Sequence, residues 1–249
     1  MRKILFFLCI AGAINSSAQT RSLVGVSTVT PKLGQVANFE SAWKAHVAKF
    51  HKADTTNRRS IFEITSGPHT GSYYLVSPNM SWADFDIERT TEKAHDLDYA
   101  STVTTTLESE SGLSIYRWAD SLSYRPDVQA SKFLLTAYHI KAGKQSDLTD
   151  EVKRSIAVNK KINSSTSYDG YIMTLSGSTP QVVIVRHLKE GFKELDPDFI
   201  KTPTDQFKNA YIELYGPPAW ERRMNLIPTI TDLVEVEMMK FRADLSSGQ

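Results

Sequence analysis

The side chains best suited to chemistry near neutral pH are six histidines: His46, His51, His69, His95, His139 and His187. An imidazole can take up a proton, donate a hydrogen bond or ligate a metal. No pair of them has the HExxH or HxH spacing that aims two rings from one helix face or one strand face. The single cysteine, Cys9, stands near the start of the chain, which removes mixed cysteine–histidine zinc sites. His139 and His187 are expected at opposite ends of neighbouring antiparallel strands, several residues apart at about 3.3 Å each, too far to share an ion. The spacing therefore predicts no metal site. No GxSxG sequence marks a nucleophilic serine. Gly67-Pro68-His69-Thr70-Gly71 is bounded by glycines but opens no helix, so it reads as a hairpin turn rather than a phosphate loop. Asp84, Asp86 and Glu88 read as a solvated face at a helix start. No catalytic residue is assigned.

Two histidines stand out. His46 falls on the apolar stripe of Phe39, Trp43 and Phe50, so its ring is predicted to face the sheet. There it is either a hydrogen-bonded core ring or a base, ligand anchor or haem ligand. His69 sits in the glycine-bounded turn, whose counterpart later in the chain, Ser176-Gly177-Ser178-Thr179, has no histidine. Around them the first half is rich in aromatics: Trp43, Tyr73, Tyr74, Trp82, Tyr116 and Trp118. Either packing or an aromatic-lined pocket accounts for these. The candidate ligand-binding set is His46, Trp43, His69, Tyr73, Tyr74 and Trp82. The cofactor is left open.

The elements that position them occur twice. Lys32-Leu33-Gly34-Gln35 returns as Lys141-Ala142-Gly143-Lys144, at an offset of 141 − 32 = 109. At that offset Phe39, Trp43 and Val47 fall on Leu148, Val152 and Ile156, and Phe62, Ile64 and Val76 on Tyr171, Met173 and Val185. Trp82 matches Phe192 one residue later, and Tyr124-Arg125-Pro126-Asp127 echoes Phe241-Arg242-Ala243-Asp244. A helix and a hairpin recurring in register predict two copies of one unit, residues 19–127 and 128–249.

Within the first unit, residues 23–29, 60–65, 73–76 and 114–118 read as strands by their β-branched and aromatic content. Residues 36–50 read as a helix, and a broken helical region is predicted from Trp82 through Leu107. In the second, 133–140, 170–176, 181–188 and 233–241 read as strands. The helix is 145–162, and a helical region runs over 192–215, broken by Pro197 and Pro203. The order β-α-β-β-α-β is ferredoxin-like, so the predicted class is α+β, two tandem ferredoxin-like units packed as a pseudo-two-fold barrel.

Residues 1–18 read as an export signal: Arg2 and Lys3, then the apolar Ile4–Ala11 stretch, then Ser16-Ser17-Ala18 as a cleavage site. The expected location is periplasmic or extracellular. The mature chain would carry no cysteine and hence no disulfide. Removing Arg2 and Lys3 takes the 29 basic residues to 27, against 28 acids, which leaves no strong field for nucleic acid or anionic membrane. No later apolar run is long enough to span a bilayer.

With Phe39, Trp43 and Val47 on the helix, the Gly67-x-x-x-Gly71 hairpin and the strand-final Arg125 and Arg242, the chain resembles the dimeric α+β barrel superfamily over nearly all of its mature length. That resemblance implies two sheets closed into one barrel with helices outside. It also implies any of several activities: cofactor-free monooxygenases, haem-degrading oxygenases, chlorite dismutase-like haem proteins and vesicle-associated NIPSNAP-type proteins. Three functions remain open on these grounds: a small-molecule binder using the first unit, an oxygenase-like or haem-linked enzyme using the same pocket, and a protein-interaction module. The chain would be a monomer with an internal pseudo-dimer, or a homo-oligomer.

Overall fold

A run of alternating β-branched residues, Leu23–Pro31, forms the first strand, β1, and buries Leu23 and Val29 on one face. The computed structural model describes residues 21–51, 58–87, 92–126, 129–175, 181–199 and 204–247. The expected leader at 1–18, the loop at 54–57 and the second hairpin tip at 176–179 lie outside the described residues. After β1 come α1 (Val36–Phe50), β2 (Ser60–Ser66), β3 (Tyr73–Met80), α2 (Glu92–Asp98), β4 (Leu107–Glu110) and β5 (Ser114–Trp118). Then follow β6 (Lys132–Ile140), α3 (Gln145–Lys161), β7 (Ser167–Leu175), β8 (Gln181–Leu188), α4 (Thr204–Tyr215), α5 (Pro217–Ile230) and β9 (Thr231–Phe241).

Eight strands close a ring in the order β5-β1-β3-β2-β9-β6-β8-β7, with β7 returning to β5. Each pairing is antiparallel, and β4 adds to the end of β1. The molecule is thus a mixed α+β protein: a closed eight-stranded antiparallel barrel with five α-helices among the described residues. The offset seen in the sequence reappears in the pairing. Val26 lies opposite Val76 and Leu135 opposite Val185; Phe62 lies opposite Tyr74 and Tyr171 opposite Val183. In each half the order across the sheet is last strand, first, third, second: β5-β1-β3-β2 and β9-β6-β8-β7.

Helices pack on the outer face of the barrel. Phe39, Trp43 and Val47 of α1 pack with Val29, Ile61, Tyr73 and Leu75 of the sheet. In the second half Leu148 of α3 joins Ile140 and Val182 of the sheet and Leu226 and Ile230 of α5. Tyr211 of α4 packs on Val158 of α3. No helix among the described residues is long and apolar enough to cross a membrane.

Three expectations need correction. Trp82–Phe85 is a single 3₁₀ turn and not the start of a long helix. The helix proper begins at Glu92, widens to a π turn over Tyr99–Val103 and tightens to 3₁₀ at Thr104–Thr106. Its threonines explain the end: the hydroxyls of Thr102, Thr105 and Thr106 donate back to carbonyls three or four residues earlier, which competes with the helical ladder. Leu107, expected inside that helix, instead starts β4. Finally, the helical region expected to end at Tyr215 is followed by a further helix at 217–230 that opens on Pro217 and Pro218. Proline suits the first turn of a helix, where its missing N–H costs nothing. Gly216, at φ 82°, makes the turn between α4 and α5.

Candidate functional site

On the outer face of β1 and β3 a cavity of about 370 Å³ opens between the sheet, α1 and α2. Ser27, Leu75, Ser77 and Met80 form its floor, Trp43 and Tyr99 its aromatic wall, and Arg59, Glu92 and Glu110 bring charge to its margin. All its lining residues fall between positions 27 and 113. Trp43 is held by its indole N–H, which donates to the Leu245 carbonyl at 2.9 Å.

Three imidazoles meet at this cavity. His46 comes from the buried stripe of α1, His51 from the residue that ends α1, and His95 from α2. His46 Nε2 lies 3.2 Å from His95 Nε2, and His95 Nε2 lies 3.2 Å from His51 Nε2. His46 and His51 are buried, while His95 keeps 28 % of its side-chain surface exposed. Behind the rings, His46 Nδ1 is 2.9 Å from Asp98 Oδ2 and His95 Nδ1 is 2.9 Å from Asp96 Oδ1. Burial holds the His46 pKa below the ordinary histidine value, and neighbouring His95 pushes the same way; the Asp98 hydrogen bond opposes them without prevailing. Asp98 itself is held below the usual carboxylate range, first by the Lys49 ammonium and then by His46. Trp43, Phe50 and Tyr99 pack around the rings, with Tyr99 stacked parallel to His95.

The six residues singled out in the sequence divide between four places. Trp43 and His46 line the cavity. Tyr73 is on the same side of the sheet, but its ring packs against Phe39 and its hydroxyl donates to Glu40 Oε1 at 2.7 Å, away from the cavity. Tyr74 points to the opposite face, into the barrel, where its hydroxyl donates to Glu237 Oε2. Burial and the Glu237 carboxylate push the Tyr74 pKa upward. His69 joins that group rather than the cavity: its Nδ1 is 2.7 Å from Glu237 Oε1 at the barrel's rim. Trp82 is half exposed and stacks obliquely on Phe85. Asp84, read as part of a solvated face, is instead buried. It accepts from the Ser81 backbone N–H and from Arg21, at 2.7 and 2.8 Å.

His51 and His95 were missed. Their spacing from His46, five and 49 residues, matches no ligand motif, and only the end of α1 and the return of α2 bring them together. A haem does not fit against His46. An iron porphyrin needs open space beyond the ligating nitrogen, and His95 Nε2 occupies that direction at 3.2 Å.

No protein-family model and no curated protein matches the sequence. Similar solved structures share the fold. One is a proposed monooxygenase from Lactobacillus acidophilus NCFM, with a TM-score of 0.55, 11% identity and coverage of 92% of this chain and 97% of that one. A proposed monooxygenase from Fusobacterium nucleatum gives 0.52 at 11% identity, over 89% of this chain and 93% of that one. An anthrone oxidase-like protein gives 0.53 at 11% identity, over 92% and 94%. At this identity the likeness defines the class, the α+β barrel, and leaves the activity to the site.

Proposed function

We propose that the protein binds a small, partly aromatic ligand in the cavity between the β1–β3 face and helices α1 and α2. The observation that carries this reading is the make-up of that cavity: an aromatic and aliphatic wall, with a few oriented polar groups at one end. Trp43, Tyr99, Leu75 and Met80 supply apolar surface, while the three imidazoles and Arg59 supply the polar end. Its volume falls in the range of small-molecule pockets. The test is to purify the chain from its native host, denature it and identify by mass whatever small molecule is released. The retained molecule should disappear in Ser77→Phe, which fills the floor of the cavity. Retention by Ser77→Phe, with loss on filling the second half instead, would place the ligand elsewhere. His46→Leu removes the contacts to Asp98 and His95 that hold the polar end of the cavity, and should weaken binding by about 1–3 kcal/mol.

A second reading, an oxygenase acting on the bound ligand, is favoured by one feature of the cavity. The cavity ends in a cluster of three imidazoles, the side chains best suited to take up a proton from a bound phenol-like group. Two of the similar structures are described as proposed monooxygenases. Ligand-dependent oxygen uptake that is lost in His46→Leu would separate this from binding alone.

We propose further that the two halves, 19–127 and 128–249, are duplicated ferredoxin-like units forming an internal pseudo-dimer. Support comes from the shared strand order and the shared 109-residue register of their pairings. The leader-like start of the sequence supports an exported location.

A further inference from the structure

We propose that His46, His51 and His95 form a mononuclear site for a divalent first-row transition metal, bound through their three Nε2 atoms. The first ground is distance. Two imidazole nitrogens bound at about 2.0–2.1 Å to one tetrahedral ion stand about 3.3 Å apart. Both His46–His95 and His95–His51 have Nε2 atoms 3.2 Å apart, and the three nitrogens all lie within 4.8 Å of one another.

The second ground is the direction of the lone pairs. A carboxylate oxygen facing a ring nitrogen accepts a proton from it, so Asp98 and Asp96 fix the hydrogens of His46 and His95 on Nδ1. Each ring then turns a bare Nε2 lone pair toward the other. Two facing lone pairs at 3.2 Å repel unless a cation lies between them. A carboxylate behind a histidine, with Nε2 in front, is the usual support of a metal-binding imidazole, because it fixes the tautomer and raises the donor strength. Lys49 in turn anchors Asp98 at 2.7 Å.

The backbone explains how residues five apart on one segment converge. On a continued helix His51 would stand about 140° round from His46. It leaves the helix at φ −119° and ψ 62°, which frees its ring to swing back beside His46. His95 completes the set from the facing helix. All three donors are neutral nitrogens and none is a thiolate, so the site suits zinc, copper, nickel or ferrous iron rather than calcium or magnesium. Three protein ligands leave a fourth position. It faces the cavity, where Glu92, a water or an oxygen of a bound molecule can complete the sphere.

The assignment does not depend on the ligand reading, and its test needs no organic ligand. The full chain, stripped with a chelator, is titrated with cobalt(II), whose four-coordinate complexes absorb strongly in the visible. One cobalt per chain is expected, displaced by zinc. His95→Gln, whose partly exposed position lets the fold persist, should bind at least tenfold more weakly. Asp98→Asn should weaken binding about 10–100-fold with all three ligands in place. His139→Gln, on the barrel's inner face, should titrate like the parent. Thermal melts of each variant separate lost binding from lost folding. A folded chain that takes up no cobalt, its rings then sharing only a proton, overturns the assignment, as does uptake that survives His95→Gln. A metal bound without any retained organic molecule would leave the ligand reading to fail alone.

Discussion

The two halves of the barrel carry the same helix in the same register and differ in what lies over it. In the first half, α1 meets α2 across a cavity with three imidazoles at its end. In the second, α3 is covered by α4 and α5, and the corresponding space is filled. Ser155, 109 residues after His46, accepts from Arg223 at 2.8 Å. Arg223 also pairs with buried Glu151 and lies over the rings of Phe207 and Tyr211. Val152 stands where Trp43 stands in the first half. The same framework therefore does two jobs. One half covers its outer sheet face with extra helix and an internal ion pair, and the other leaves that face open and lines it with donors.

The largest test of this contrast is packing. Trp43→Ala should cost about 3–5 kcal/mol, since the indole is almost wholly buried and hydrogen-bonded. Val152→Ala should cost less, and exposed Lys44→Ala should stay within about 0.5 kcal/mol. Equal urea midpoints for Trp43→Ala and Lys44→Ala would show that α1 is turned the wrong way. Next comes the plug of the second half. Arg223→Ala leaves Glu151, among the described residues, the Tyr211 hydroxyl and the nearby charge of Arg154, so a loss of about 2–4 kcal/mol is expected. The value sits below that of a wholly buried pair because the arginine keeps 28 % of its surface. If the midpoint does not move, the ion pair does not hold the plug.

Acid should act on both halves by the same route. Arg242, directly after β9, pairs with Glu40 and Asp244 beside α1; Arg125, expected at a strand end, instead lies seven residues past β5, beside the Tyr124–Tyr168 bridge, and pairs with Asp169 in β7. The Arg242 guanidinium holds Glu40 and Asp244 below their ordinary values. Burial raises Asp169, but bonds from His187 and Trp118 and the charge of Arg125 outweigh it, so its pKa too is lowered. A carboxylate with a depressed folded pKa contributes stability above its unfolded value that is lost as the pH falls. Stability should therefore drop as the pH passes below about 4.5 and 3.8, the unfolded glutamate and aspartate values. Arg242→Gln should flatten the first-half part of that fall. An unchanged acid slope would mean that the ion pairs there are solvent-screened. A small effect is also expected of Trp82→Ala. The ring is half exposed and off the cavity, so stability should change by under about 1 kcal/mol and ligand retention not at all.

The fold was more legible than the site. The stripe of Phe39, Trp43 and His46 and the β2–β3 hairpin follow from spacing alone, and the 109-residue register carried over to the strand pairings. What failed was the grouping of side chains across elements. Tyr73 and Tyr74 are neighbours in a strand and must point to opposite faces, so they could not share one pocket. His51 was invisible because its placement depends on how a helix ends. His95 was invisible because α2 begins later than its apolar residues suggested, and no periodicity ties it to α1.

Closing the barrel as a ring has a consequence for how the chain is made. The seam between β2 and β9 joins Phe62 to Phe241, and the seam between β5 and β7 joins Tyr116 to Met173. During synthesis β2 emerges well before its partner β9. For most of translation its edge is an unpaired row of N–H and C=O groups, able to template another chain. Contacts so distant in sequence also form slowly. A nascent or truncated chain ending before residue 231 should therefore aggregate through β2, and a chaperone would be needed until β9 is free to pair.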